Sequence, residues 1–290
     1  MVGFHPIPFR TRKLNQLTFQ TVLVFALGTL ESCPFSFNIK MKTRQYLTPR
    51  ERVELMGFDV DYKGKYLTFQ HPLIGPGTYV KVKKSIETAK LGKPTMAETA
   101  SLILAIYNSE DKPLGDFIKK QLGDFMGQLR STDNQIWAFT GILCIPKEGA
   151  YIQDDPETRN RRPFMDKSRL VKILEEETSK KVKTVRFVPF GYKTGGVTPL
   201  ELEKNKFVIG LAEEEGAEKL AEVADKFKRD PFLYALESVS RPAISVCSLQ
   251  DEWFSDFGLG VHCSNYGYKG GNGFALGYLS RQKTFHKKQK

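Results

Sequence analysis

The side chains that could do chemistry are few. Of four histidines, His5 and His286 lie near the chain ends, leaving His71 and His262. His71 precedes Pro72 with no serine, cysteine or carboxylate beside it in a triad-like pattern. His262 alternates with Val261 and Cys263, so a strand there turns its ring away from theirs, toward solvent or ligand. The cysteines Cys33, Cys144, Cys247 and Cys263 form no C-x-x-C and no zinc-like spacing. Cys144 and Cys247 stand in apolar strand-like runs, where a thiol behaves as a small hydrophobe, and Cys263 could meet Cys247 across a hairpin. Asp154-Asp155 before Pro156 reads as a turn.

Glycine-rich stretches fail the phosphate test. In "GYKTGG" (Gly191 to Gly196) the lysine precedes the second glycine, whereas a phosphate loop needs it afterwards, at the head of a helix. "GNGFALG" leads into a strand, while a dinucleotide fingerprint leads into a helix. We assign no catalytic residue, no metal ligand and no cofactor.

A mixed composition over 290 residues is that of a globular chain able to bury a large core. The net charge of +11 belongs to the ends: residues 1–40 carry a surplus of three and residues 281–290 a surplus of five, leaving three for 41–280. Residues 281–290 form a basic tail, expected to be a solvated end, with nucleic-acid contact as its functional alternative. Thr21 to Leu30 is a ten-residue apolar run after Arg10, Arg12 and Lys13, too short to span a bilayer as a helix but shaped like the core of a signal peptide. The competing reading, which we prefer, starts translation at Met41 and keeps the chain in the cytoplasm. Export is the outcome if segment 10–33 is a genuine signal, and membrane association is expected only if residues 1–40 are a signal or anchor.

These residues must be positioned by a mixture of helices and strands. Thr48-Pro49-Arg50-Glu51 is a capping box with its proline, predicting a short helix to Gly57. "FDVDY" and "KYLTFQ" flank a Lys63-Gly64 turn, and "TYVKV" reads as a strand. Thr95 and Glu98 cap "TMAETASLILAIY", which is apolar almost all round and so a buried helix; a second helix covers about 114–126. "WAFTGILCI" is a core strand, and residues 146–165 read as a long surface loop or sub-domain boundary. Asp166 caps a helix to about Glu177, "TVRFVPF" is a strand, and Thr198 to Glu201 is a third capping box. From Glu213 to Lys228 an apolar face and dipole-matched charges predict a helix. Strands at 242–249, 257–263 and 273–279 close the chain, with "GFALGYL" placing Phe274 and Leu276 on one face and Ala275 and Gly277 on the other. The fold class is α+β, a single mixed domain over 41–280.

What remains is the closing segment, 242–280. Trp253, Phe254, Asp256, His262, Asn265, Tyr266, Tyr268 and Asn272 gather around two short loops that adjoining strands would hold side by side. Aromatic anchors among small adaptable polar residues suit a binding surface.

The run from "TMAETASLI" through "RFVPFGYKTG" and "EEGAEKLAEVADKFKRDPFLYAL" to "ISVCSL", "GLGVHC" and "GFALGYL" resembles a family of archaeal proteins of uncharacterised function, whose final strands frame short divergent loops. Their C-termini look like the variable targets of diversity-generating retroelements. That resemblance implies a C-type-lectin-like fold that binds a protein or surface ligand without catalysis. The other function class is a nucleic-acid-associated protein, possessing hydrolytic activity in one version, that uses the basic tail and Arg159, Arg161, Arg162, Lys167 and Arg169.

Overall fold

Two strands meet at the Lys63-Gly64 turn in the computed structural model, which describes residues 44–48, 51–109, 116–131, 133–180, 183–251, 258–263 and 272–282. These all lie in the second of two compact units, Phe37–Lys290. Lys63 and Gly64 take positive φ of 48° and 76°, the left-handed pair that a tight two-residue hairpin requires. They join β2 (Glu51–Tyr62) to β3 (Lys65–His71), and β2 pairs back with β1 (Arg44–Thr48). The helix expected from the Thr48 box is therefore absent. A helix of under ten residues carries a costly nucleus for few hydrogen bonds, whereas β2 gains a ladder on both sides.

"TYVKV" also differs from expectation. It opens α1 (Tyr79–Thr88), after β4 (Ile74–Gly77), with Thr78 as its N-cap. Tyr79, Val82 and Ile86 are buried at helical spacing, a period that five residues of alternation could not exclude. The helix capped by Thr95 and Glu98 forms as α2 (Met96–Tyr107), with all twelve residues buried. α3 (Asp116–Leu129) precedes the core strand β5 (Gln135–Ile145). Residues 146–165, expected as a long loop, hold β6 (Gly149–Asp154) and a hairpin of β7 (Glu157–Arg159) and β8 (Arg162–Phe164) around Asn160 and Arg161, both at positive φ. Turn-rich composition hid strands too short to show a period.

Asp166 caps α4 (Lys167–Glu176), followed by β9 (Val185–Pro189), β10 (Gly195–Gly196) and the capping-box helix α5 (Pro199–Lys204). The helix expected from 213 is the second part of α6 (Lys206–Phe227), which breaks at Glu213, where φ is 60° and ψ is 173°. Next come β11 (Phe232–Tyr234), β12 (Ala243–Asp251), β13 (Leu259–His262), β14 (Gly273–Ala275) and β15 (Tyr278–Gln282). Arg281 and Gln282, assigned to the tail from sequence, thus continue a strand; 283–290 lie outside the described residues.

A four-stranded sheet has the order β1-β2-β3-β15, and a nine-stranded sheet runs β10-β11-β13-β12-β5-β14-β4, with β6 on β5 and β9 on β6. "GFALGYL" is shared between them: β14 pairs β5 and β4, then the chain crosses at Leu276-Gly277 so that β15 pairs β3. Phe274 and Leu276 still face one core and Ala275 the other.

The central core lies where β2 and β3 cover one side of α2 through Phe58, Val60, Leu67 and Phe69, and the large sheet and α6 cover others. β5 is buried on both faces, which is why it reads as a continuous apolar run. Ile136, Ala138, Ile142 and Cys144 join the central core; Trp137 and Phe139 pack with Tyr79, Val82 and Ile86 on the other side. The mixed α+β class is as the sequence predicts.

Candidate functional site

Two places gather polar and aromatic groups on this frame. The first is the base of the C-terminal loops. Trp253, Phe254 and Asp256, and Asn265, Tyr266 and Tyr268, lie in 252–257 and 264–271, outside the described residues. The residues that hold both loops are described. Asp251 closes β12 and is bound by Arg229 at 2.8 Å. The Gly258 N–H donates to the Asp230 carbonyl at 2.8 Å, and a Cβ there would come within 2.8 Å of the Phe227 side chain. Cys263, buried, donates its N–H to the Tyr234 carbonyl at 2.7 Å. Asn272 is exposed, and its carbonyl accepts from the Gln135 N–H at 3.3 Å; beside it Gly273 is so close to Trp137 that a Cβ would meet the indole Nε1 at 1.8 Å.

Strand direction decides where these stems sit. β13 is antiparallel to β12, β12 to β5, and β14 is parallel to β5. Asp251 and Leu259 pair across β12 and β13, and Gly273 pairs with Gln135 at the start of β5, so three of the four stems share one end of the sheet. The fourth, Cys263, is set back by the length of β13. The expectation that adjoining strands hold the loops side by side needs correcting: β12 and β5 separate β13 from β14. His262 is half-buried and stacks on Tyr234 with ring centres 4.2 Å apart. The Cys247 and Cys263 sulfurs are 3.3 Å apart, and burial raises the proton affinity of the Cys263 thiol.

The second place is a cleft of about 290 Å³ between the β2–β3 turn, the head of α2, the ends of β6 and β9, the break in α6, and β15. Leu67, Ala97 and Leu211 supply apolar walls; Tyr62, Tyr278, Glu98, Asp154, Arg186, Glu213 and Lys63 supply the chemistry. Local sequence explains each placement. Glu98 is the third residue of the α2 capping box, so its Oε2 accepts the Thr95 N–H at 2.8 Å. Its Oε1 accepts from the Tyr278 hydroxyl at 3.1 Å.

β5 bulges opposite the Val246–Cys247 step of β12. There Phe139 bonds Pro94 and Asp155 instead of the ladder, and Thr140 turns to the head of α2, accepting the Met96 N–H at 3.0 Å. The Thr140 hydroxyl then donates to Asp154 at 3.2 Å, and Arg186 grips Asp154 with both terminal nitrogens at 2.7 and 3.0 Å. Glu213 sits at the α6 break, ion-paired with Lys63 and 3.9 Å from Arg186.

α2 and the second part of α6 run parallel and start together. Ala97 touches Gly216, Lys219 donates to Ser101 at 3.0 Å, and Tyr107 meets Phe227 near the far ends. Two helix N-termini thus open beside the cleft, with Glu98 in the first turn of one and Glu214 and Glu215 in that of the other.

Burial raises the carboxyl pKa of Glu98, against the pull of its Thr95 and Tyr278 hydrogen bonds. Burial also raises that of Asp154, opposed by Arg186. Burial, and then the negative charges of Glu98, Glu213, Asp154 and Glu215, push Tyr62 well above the usual phenol range, so its hydroxyl is a neutral donor at any physiological pH. Burial and Glu98 do the same to Tyr278.

Sequence reasoning placed none of this cleft in a site. Glu98 reads as a cap and Arg186 as one residue of a strand, and both have that local role, whereas Asp154, read as a turn, ends β6 and pairs with Thr140 of β5. The signal available was weak: an acid in a capping box heading an otherwise almost wholly apolar helix. In the Arg-rich stretch, Arg159 and Arg169 both pair with Glu157, and Lys167 pairs with Glu148, so three of its five cations have acidic partners. Among the described residues no group of three or more His, Cys, Asp or Glu could hold a metal, and no helix is long and apolar enough to cross a membrane.

No protein-family profile and no curated protein matches the chain. Among solved structures it is similar to one described as "Accommodation of massive sequence variation in Nanoarchaeota by the C-type lectin fold". The TM-score is 0.44 at 11% identity, covering 76% of this chain and 100% of the other.

Proposed function

We propose that the chain is a non-catalytic recognition protein that binds a protein or surface ligand through the C-terminal loops that follow β12 and β13, carried on a C-type-lectin-like scaffold. Trp253, Phe254, Tyr266 and Tyr268 are its rigid anchors. Asp256, His262, Asn265 and Asn272 supply adaptable hydrogen bonds. One observation supports this reading above others: both loops leave and rejoin stems locked into the core, at Asp251, Gly258, Cys263 and Gly273. A frame of that kind fixes the stems whatever residues stand between them, so loop side chains are free to serve contact rather than folding.

The test compares the full chain with Tyr266→Ala/Tyr268→Ala and with a variant whose 264–271 are replaced by glycine and serine at equal length. Both variants should keep the thermal midpoint and far-UV circular dichroism of the parent. Both should lose the partners that the parent retains in a cross-linking capture. Partners retained equally by all three chains would defeat the reading. So would capture dominated by nucleic acid that is lost when 283–290 are removed.

A further inference from the structure

The cleft beside α2 is built from residues outside the C-terminal loops, and its charges do not cancel. Asp154 is held by Arg186 and Glu213 by Lys63. Glu98 is only 9% exposed and lies in the same cleft, yet it accepts from neutral donors alone, the Thr95 N–H and the Tyr278 hydroxyl. It has no basic partner among the described residues. A buried carboxylate without a counter-charge is costly, and it has room to accept further hydrogen bonds because each oxygen offers two lone pairs. At the rim the balance reverses: Lys65 and Lys183 are exposed and have no ion-pair partner among the described residues.

We propose that this cleft binds a small zwitterion of the amino-acid class, with its ammonium group on Glu98 and its carboxylate toward Lys65 and Lys183. Three observations support it. Among the described residues the carboxylate inside lacks a cation and the cations outside lack an anion, an arrangement that a molecule with both charges complements and a simple anion does not. The Tyr62 hydroxyl, kept protonated by burial and then by its acidic surroundings, lines the same space as an extra donor and acceptor. The volume of about 290 Å³ falls at the lower edge of the roughly 300–1,000 Å³ usual for drug-sized ligands, which suits a single amino acid and excludes a folded partner.

The full chain is titrated calorimetrically with each of the twenty free amino acids, and with n-butylamine and n-butyrate as probes carrying one charge each. At least one amino acid should bind, and n-butylamine should bind more weakly but better than n-butyrate. Glu98→Gln keeps one acceptor, for the Thr95 N–H, and offers its NH2 as a donor to the Tyr278 hydroxyl oxygen while removing the charge, so it should fold and weaken the amino acid and n-butylamine at least tenfold. Lys65→Ala/Lys183→Ala should weaken the amino acid and leave n-butylamine unchanged. Ser280→Trp, on an exposed rim position of β15, should block both, and it carries the test if Glu98→Gln lowers the folded fraction. No binding by any probe overturns the proposal, as does binding that survives Ser280→Trp or is indifferent to Glu98→Gln. Replacing loop 264–271 should leave these affinities as they are, so this result stands or falls separately from the loop reading.

Discussion

Gly273→Ala should destabilise the fold, although rules based on backbone entropy alone say the opposite. Gly273 begins β14 at the stem of the second C-terminal loop, in a conformation outside the left-handed region. Alanine at an unstrained glycine ordinarily gains about 0.4–1 kcal/mol by restricting the unfolded chain. Here a Cβ would stand 1.8 Å from Nε1 and 2.2 Å from Cε2 of Trp137. Real Cβ atoms essentially never come within 3.0 Å of a neighbour, so the ring or the strand must retreat by more than an ångström. The ring has nowhere to go. Trp137 is fully buried, with Tyr79 edge-on at 5.8 Å, and its indole N–H donates to the Gly77 carbonyl at 3.2 Å. Overpacking of this kind costs about 1–3 kcal/mol, and an indole N–H left without its acceptor adds about 1–3 kcal/mol. We expect a net loss near 3 kcal/mol once the entropic gain is subtracted. Urea unfolding followed by circular dichroism reads this as a lower midpoint at unchanged slope. Trp137→Phe removes the atoms that clash, so Gly273→Ala should cost clearly less on that background. A neutral or stabilising Gly273→Ala, or a cost the same on both backgrounds, would refute the reasoning.

Three further outcomes follow from the structure. The folded chain holds the Glu98 proton more tightly than the unfolded chain does, so the stability from this group is full below about pH 4.5 and is lost as pH rises through its folded value. The thermal midpoint of Glu98→Gln minus that of the parent should therefore grow upward from pH 4.5, and a flat difference would show that burial does not raise the Glu98 carboxyl against the pull of Thr95 and Tyr278. Asp154→Ala or Arg186→Ala alone should cost about 3 kcal/mol in urea unfolding, with the double variant costing less than the two combined, because each single change leaves a charge without its main partner, Arg186 at 12% exposure or Asp154 at 21%. Single costs below about 0.5 kcal/mol would make the pair a surface decoration. Under oxidising conditions Cys247 and Cys263, one step beyond the paired Ser248 and His262, should form a cross-strand disulfide visible in a non-reducing peptide map. Closing a loop of that length should add about 3 kcal/mol, and an unchanged midpoint with the bond formed would count against it.

Sequence determined what depends on residues three or four apart. The caps at Thr95, Asp166 and Thr198 formed where they were expected, because an N-cap side chain and the third helical residue satisfy each other within one turn. The Lys63-Gly64 hairpin followed for the same local reason. The double-sided apolar run of β5 announced a buried strand, although not its neighbours. Where local signals competed with pairing, tertiary structure decided. The box at Thr48 gave way to the β1–β2 ladder, "TYVKV" became a helix because Tyr79, Val82 and Ile86 could all reach one core, and "GFALGYL" was divided between two sheets. The cleft is the extreme case: it joins residues from 62 to 280, and its defining feature is that no cation among the described residues stands beside Glu98. A capping box can be read along the chain, since both partners lie within it. The missing counter-charge can be found only once folding has fixed everything else that surrounds the carboxylate.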